Sequence, residues 1–145
     1  TIDKYAQSTI CMFTITNIEE INKVFGREIG TKTIIDVSNI VKTSISAQYI
    51  FVRYMGPKFA IAFSGVDLEG VEEFVKTVKD EIEKITLKKE QVVKNKKTKK
   101  QLIAHPRTNF ILATYYKGTG LEEVTKKLEE YLDDADKTES NINCI

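Results

Sequence analysis

The stretch Tyr49–Phe63, YIFVRYMGPKFAIAF, constrains this chain most. Two apolar runs, near Tyr49–Tyr54 and Phe59–Ser64, flank a tight centre, Met55-Gly56-Pro57-Lys58. Such a pattern reads as a β-hairpin, so the rest of the fold has to be built around an antiparallel pair.

The segments on either side supply the partners. Thr9–Thr16 (TICMFTIT) reads as a first strand. Asn17 is placed to cap a helix, with Glu20 three residues on as the reciprocal capping partner. Ile18, Ile21, Val24 and Phe25 then share one helical face, and Gly26 ends it. A second helix is expected from Thr31 to Ser46. After the hairpin, Asp67 starts a third helix, Leu68–Ile85, whose buried stripe runs from Val71 to Ile85. Asn109–Tyr116 reads as a strand, Leu121–Ala135 as an amphipathic helix, and Ile142–Ile145 as a short final strand. This order predicts an α+β fold: a ferredoxin-like or polymerase-palm core, with a central, mainly antiparallel sheet and helices packed on it.

The length fits one domain, 1–145, and the Thr1 start points to a fragment of a larger protein. A net charge of +1 selects no class of partner. No apolar run approaches the roughly 20 residues of a membrane-spanning helix, and the N-terminus lacks the basic-then-apolar pattern of a signal peptide. Cys11 and Cys144 are too few for a disulfide framework and read as free thiols in a reducing cytoplasm. With one histidine and no CxxC pair, no Cys/His metal site is expected.

The hairpin resembles the signature of GGDEF domains, the diguanylate cyclase family, whose usual form is RYGGDEF or RYGGEEF followed by an apolar strand. Within Arg53, Tyr54, Met55, Gly56, Pro57, Lys58 and Phe59, the matching residues are Arg53, Tyr54, Gly56 and Phe59. Pro57 and Lys58 stand where the family has two acids. A second anchor, Ile21–Gly30 (INKVFGREIG), is similar to the family pattern INDxxGHxxGD, with Ile21, Asn22, Gly26 and Gly30 matching. Leu132–Asp136 with Asn141 and Ile142 resembles the closing LYxAK…GRN segment.

The resemblance implies what the chemistry would need. Family members join two GTP molecules with the help of divalent metal, which offsets phosphate charge and activates the attacking hydroxyl. Hard cations of this kind need carboxylate oxygens. The matching metal-ligand positions here are Thr14 and Pro57, and Thr16 occupies a further acidic position. Proline offers no side-chain ligand and removes a backbone N–H. Lys58 brings a cation that repels a metal and attracts a phosphate. Asp136 falls where a late lysine of the family aligns, with Lys137 one step on. Of the two guanine-reading positions, Asn22 is kept and Thr31 replaces an Asp, which weakens base recognition. Asn22 has two readings: a retained nucleotide contact, or a helix-end residue bonded to its own backbone. Ser46 and Tyr49 occupy the family's RxxD product-inhibition positions, so feedback by that route is not expected.

The expected function is therefore a catalytically inactive GGDEF-like regulatory or interaction module of a bacterial signalling protein. The expected nucleotide contacts are Asn22 and Lys58, with no catalytic residue, no metal and no cofactor. Expected partners are other domains of the same polypeptide or a signalling protein, a guanine nucleotide and a second copy, but not nucleic acid. The expected location is the cytoplasm, alone or as the cytoplasmic part of a membrane-anchored protein. One alternative is an active cyclase with displaced ligands, Glu19, Glu20 or Glu28 supplying charge. Another is a ferredoxin-like binding module that uses a lysine-rich insertion, 86–103. Within it, Leu87–Gln101 carries seven lysines against one glutamate, and its first reading is an exposed hairpin or loop.

His105 reads as a solvent-facing histidine, and Tyr115-Tyr116 as packing over the sheet edge. Gly118-Thr119-Gly120 is a turn too short for a phosphate loop. The pairs Glu72-Glu73, Glu129-Glu130 and Asp133-Asp134 diverge around their helices and read as solvated faces.

Overall fold

The first strand, β1 (Gln7–Ile15), is buried along almost its whole length, so it needs neighbours on both edges and cover on both faces. In the computed structural model, which describes residues 5–46, 48–92, 99–134 and 141–145, it has them. β1 pairs antiparallel with β3 (Lys58–Phe63) on one edge and β6 (Thr108–Tyr116) on the other. β2 (Ile50–Met55) extends the sheet beyond β3, and β7 (Ile142–Cys144) lies parallel to β6, giving the order β2-β3-β1-β6-β7. This is the expected mainly antiparallel sheet, its helices packed on both faces.

Alternation along β1 divides the core. Cys11, Phe13 and Ile15 face the layer holding α1 (Ile18–Phe25), α2 (Arg27–Ser44) and α3 (Leu68–Glu83). Ile10 and Met12 face the opposite layer, where α4 (Leu121–Asp134) contributes Leu128 and Leu132. Phe13 stacks between Phe59 and Phe110, at 4.8 and 4.4 Å between ring centroids, and this row locks the register of the three central strands.

Several boundaries and one cap differ from expectation. α2 begins at Arg27, not Thr31, because Gly26 at φ 96° turns the chain straight from one helix into the next. α3 stops at Glu83 instead of Ile85. Its predicted cap is present, with Asp67 Oδ1 accepting from Gly70 N at 2.9 Å. The Asn17–Glu20 capping box is not formed, since Asn17 makes no side-chain cap bond. Its amide instead donates to the His105 carbonyl and accepts from Arg107 N, both at 2.8 Å, clasping α1 to the loop before β6. That loop is 88 residues away or more, which no local capping rule anticipates.

The lysine-rich stretch forms an antiparallel ribbon, β4 (Leu87–Val92) with β5 (Lys99–Ala104), separate from the main sheet. Lys89 Nζ donates to the Val24 carbonyl at 3.0 Å and ties the ribbon to the end of α1. Tyr115 is buried under α4 while Tyr116 is 58% exposed, so only the first tyrosine packs over the sheet. Asp136 and Lys137 lie outside the described residues. Among the described residues, no helix is long and apolar enough to cross a membrane.

Candidate functional site

At the end of the sheet where β1 meets the β2–β3 turn, three side chains stand in a row across neighbouring strands. Thr14 is the register partner of both Lys58 on β3 and Asn109 on β6. Thr16, Glu19, Pro57 and Asp133 complete a cleft of about 290 Å³ around them. The structure thus brings together the two positions implied for metal ligands, Thr14 and Pro57, with Lys58 beside them.

The turn is built by its own residues. Gly56 takes φ 57°, and Arg53 Nε donates to the Gly56 carbonyl at 2.9 Å, closing the loop from within. The ladder shifts register between Arg53 and Met55, and Tyr54 continues β2 between them. Pro57 turns its carbonyl to Ile15 N at 3.2 Å, which pins the turn to β1. Phe59 is buried in the aromatic row. Arg53, Gly56 and Phe59 therefore have structural work independent of any ligand.

The residues present do not fit a divalent metal. Thr14 and Thr16 offer hydroxyls and Pro57 offers no side-chain donor, whereas such ions take carboxylate oxygens. Lys58 already puts an ammonium in the cleft, with Nζ 2.5 Å from Asp133 Oδ1 and a side chain only 19% exposed. Among the described residues, no group of three or more His, Cys, Asp or Glu side chains could hold a metal ion. Glu19 lines the cleft, but Glu20 lines a different cavity on the far side of α1, and Glu28 lies exposed in the first turn of α2.

Asn22 is half-buried in α1 and packs against Gly30 of α2, so closely that a Cβ on Gly30 would run into its Oδ1. Its backbone carbonyl accepts from Gly26 N at 3.0 Å, but the side-chain amide has no bond to its own backbone. The helix-end reading of that amide therefore fails. Thr31 is exposed one residue beyond Gly30. Ser46 and Tyr49 are joined by a backbone bond of 3.1 Å, and the Tyr49 ring packs on Phe63 at 5.2 Å, an apolar setting in place of an RxxD site.

Three features were missed from sequence. Asn109 is fully buried, with neither amide atom hydrogen-bonded, and only its polarity inside the apolar run NFILA hinted at a role. The Lys58–Asp133 pair joins residues 75 apart and left no local signal. A cavity of about 600 Å³ opens between α1 and the ribbon, lined by Glu20, Val24, Phe25, Leu102, His105 and Arg107. His105 is exposed as expected, with Nδ1 2.9 Å from the Ile85 carbonyl, and a carbonyl there requires the proton on Nδ1. Both cysteines are free. Burial, with Cys144 as a lesser cause, pushes the Cys11 thiol far above its ordinary range. Cys144 is raised too, by burial first and then by Glu72.

A sheet of this order, with a tight hairpin beside the end of β1 and helices on both faces, is a palm-like α+β fold. The chain belongs to the GGDEF family: the model for "Diguanylate cyclase, GGDEF domain" matches residues 3–141. Similar solved structures include the GGDEF domain of DgcB from Caulobacter crescentus in complex with c-di-GMP. That domain is 15% identical with a TM-score of 0.76, over 95% of this chain and 77% of the other. The active GGEEF domain of a Vibrio cholerae diguanylate cyclase is 16% identical with a TM-score of 0.72, over 96% and 82%. Diguanylate cyclase SiaD from Pseudomonas aeruginosa, solved with its activator SiaC, is 11% identical with a TM-score of 0.76, over 97% of this chain but only 50% of SiaD. At these identities the likeness establishes the fold. No curated protein matches the chain in sequence.

Proposed function

We propose that this GGDEF domain is a non-catalytic regulatory or interaction module in cyclic di-GMP-related signalling, retaining weak guanine-nucleotide binding through Asn22 and Lys58. The observation that carries the reading is the Lys58–Asp133 ion pair beside Thr14 and Pro57, where the reaction would need metal-binding acids. Without a divalent ion, neither the ribose hydroxyl nor the triphosphate is activated. Glu19 alone remains of the acids considered as displaced ligands, Asp133 is held by Lys58, and a single carboxylate is a poor ligand set for Mg²⁺.

Nucleotide binding is supported by Asn22, whose part-exposed amide carries no internal bond and is aimed by its contact with Gly30. Lys58 reaches a phosphate only by leaving Asp133, so binding is weak. The partners are other domains of the same polypeptide, a signalling protein or a second copy. SiaD, half of whose chain matches this one, is solved in complex with an activator protein, which supports a protein partner. The domain works in the cytoplasm.

The test is incubation with GTP and Mg²⁺ or Mn²⁺, followed by chromatography. The expected result is no cyclic di-GMP above a protein-free control, and robust synthesis would overturn the reading. In equilibrium binding, Asn22→Ala is expected to weaken GTP about tenfold, the scale of one lost hydrogen bond of about 1.4 kcal/mol.

A further inference from the structure

Without Lys58, the cleft would carry an excess of negative charge. Its polar lining residues are Glu19 and Asp133, Thr14, Thr16, whose hydroxyl donates to the Arg107 carbonyl at 3.3 Å, and Asn109, with a net negative charge before Lys58 is counted. Asn109 is 0% exposed with Nδ2 and Oδ1 both lacking a hydrogen-bond partner, and it stands in register beside Thr14. A buried amide left unmatched is costly, and its carbonyl oxygen is the kind of group that cations use. The cation present is the Lys58 ammonium, 2.5 Å from Asp133 Oδ1.

We infer that Lys58 is a built-in replacement for a divalent cation: its ammonium offsets one of the cleft's two carboxylate charges and clamps the β2–β3 hairpin to α4 through Asp133. This rests on the non-catalytic reading above. A tethered ammonium supplies one charge and three N–H donors without having to shed a tightly held water shell, as a divalent ion must. Two elements far apart in sequence are thereby joined at one point, with Lys58 in the first position of β3 and Asp133 in the last turn of α4. An α4 carboxylate held there by the chain's own cation is not free to ligate a divalent ion, which would also meet the repulsion of the ammonium.

The probe is Mn²⁺ alone, followed by loss of the free-ion spin-resonance signal and by thermal stability. Wild type is expected to take up no Mn²⁺ specifically and to keep its melting temperature when Mn²⁺ is added. Lys58→Met keeps most of the side-chain volume but removes the charge. It is expected to melt lower, to gain Mn²⁺ affinity at least tenfold, and to recover part of the lost melting temperature in Mn²⁺. Lys58→Arg keeps the cation and should stay indifferent to Mn²⁺, and Lys58→Met with Asp133→Asn should lose the gain. If Lys58→Met does not fold, Lys58→Gln carries the same expectation, and Asp133→Asn alone should speed amide exchange in the last turns of α4. Equal Mn²⁺ uptake by wild type and the uncharged variants, or no gain in either variant, overturns the inference. Mn²⁺ uptake by wild type without cyclic di-GMP synthesis defeats this inference alone, whereas synthesis defeats the functional reading beneath it.

Discussion

Asn22 and Gly30 face each other across the bend between α1 and α2, and what each does depends on the other. The glycine leaves the space that the Asn22 amide fills, and the three nearest atoms to where a Cβ on Gly30 would stand all belong to that side chain. Two opposed effects follow from Gly30→Ala. Crowding of this kind costs about 1–3 kcal/mol, while alanine within a helix is better than glycine by about 1 kcal/mol. In wild type the crowding dominates, so Gly30→Ala is expected to lower stability by roughly 1 kcal/mol in urea denaturation and to displace Asn22. In the Asn22→Ala background the obstacle is gone, and the same substitution is expected to stabilise by up to about 1 kcal/mol. A sign that fails to reverse would mean that Gly30 serves something other than Asn22. Both residues were legible in sequence through the INKVFGREIG pattern, but their mutual contact was not, because a motif gives spacing and not which side chain fills which gap.

Among the elements, α1 shows why local rules mislead. Asn17 followed by Glu20 satisfies the capping pattern, yet the Asn17 side chain bridges His105 and Arg107 instead. The competition was between one bond to a helix N–H and two well-formed bonds to a part-buried loop, and two bonds win. The alternatives make different predictions for Asn17→Ser. Serine is as good a cap as asparagine, so a capping role would leave stability unchanged. A clasp needs one donor and one acceptor spaced as an amide spaces them, and serine is too short to reach both. Asn17→Ser and Asn17→Ala are therefore both expected to cost about 1–3 kcal/mol, read from the denaturation midpoint. The ribbon of β4 and β5 had the opposite fate. Its lysines obscured the strand pattern, because the alternation that marks a strand is weak where both faces are polar. The register pairs Leu87 with Ala104 and Lys89 with Leu102, and Leu102 and Ala104 line the cavity beside α1. So even here a face turned inward set the structure.

For the whole molecule, one sheet with helices packed on it was legible; that both faces of the sheet are covered was not read, although the near-continuous burial of β1 and β6 now accounts for their unbroken apolar runs. Less legible was that Cys11, in the middle of β1, would be fully buried between Ile61 and Leu112, its register partners on either side. That position makes the fold sensitive to alkali. Burial keeps the Cys11 thiol protonated in the folded state, with its pKa displaced upward. In the unfolded chain a cysteine ionises near pH 8.5. Below that pH both states hold the proton and Cys11 contributes no pH dependence. Above it only the unfolded chain releases a proton, so folding stability falls by about 1.4 kcal/mol per pH unit from this group, or about 2 kcal/mol by pH 10. Cys144 is raised as well, but its exposed position gives it a lesser share. The check is a set of urea denaturations between pH 7.5 and 10 on wild type and Cys11→Ala. The variant starts lower, having lost buried sulfur, but its stability should decline less steeply above about pH 8.5, by close to one proton's worth of slope. Parallel declines would mean that Cys11 ionises in the native sheet. Thiol labelling of the native protein offers an independent reading: Cys144 should react, and Cys11 only at the rate of unfolding.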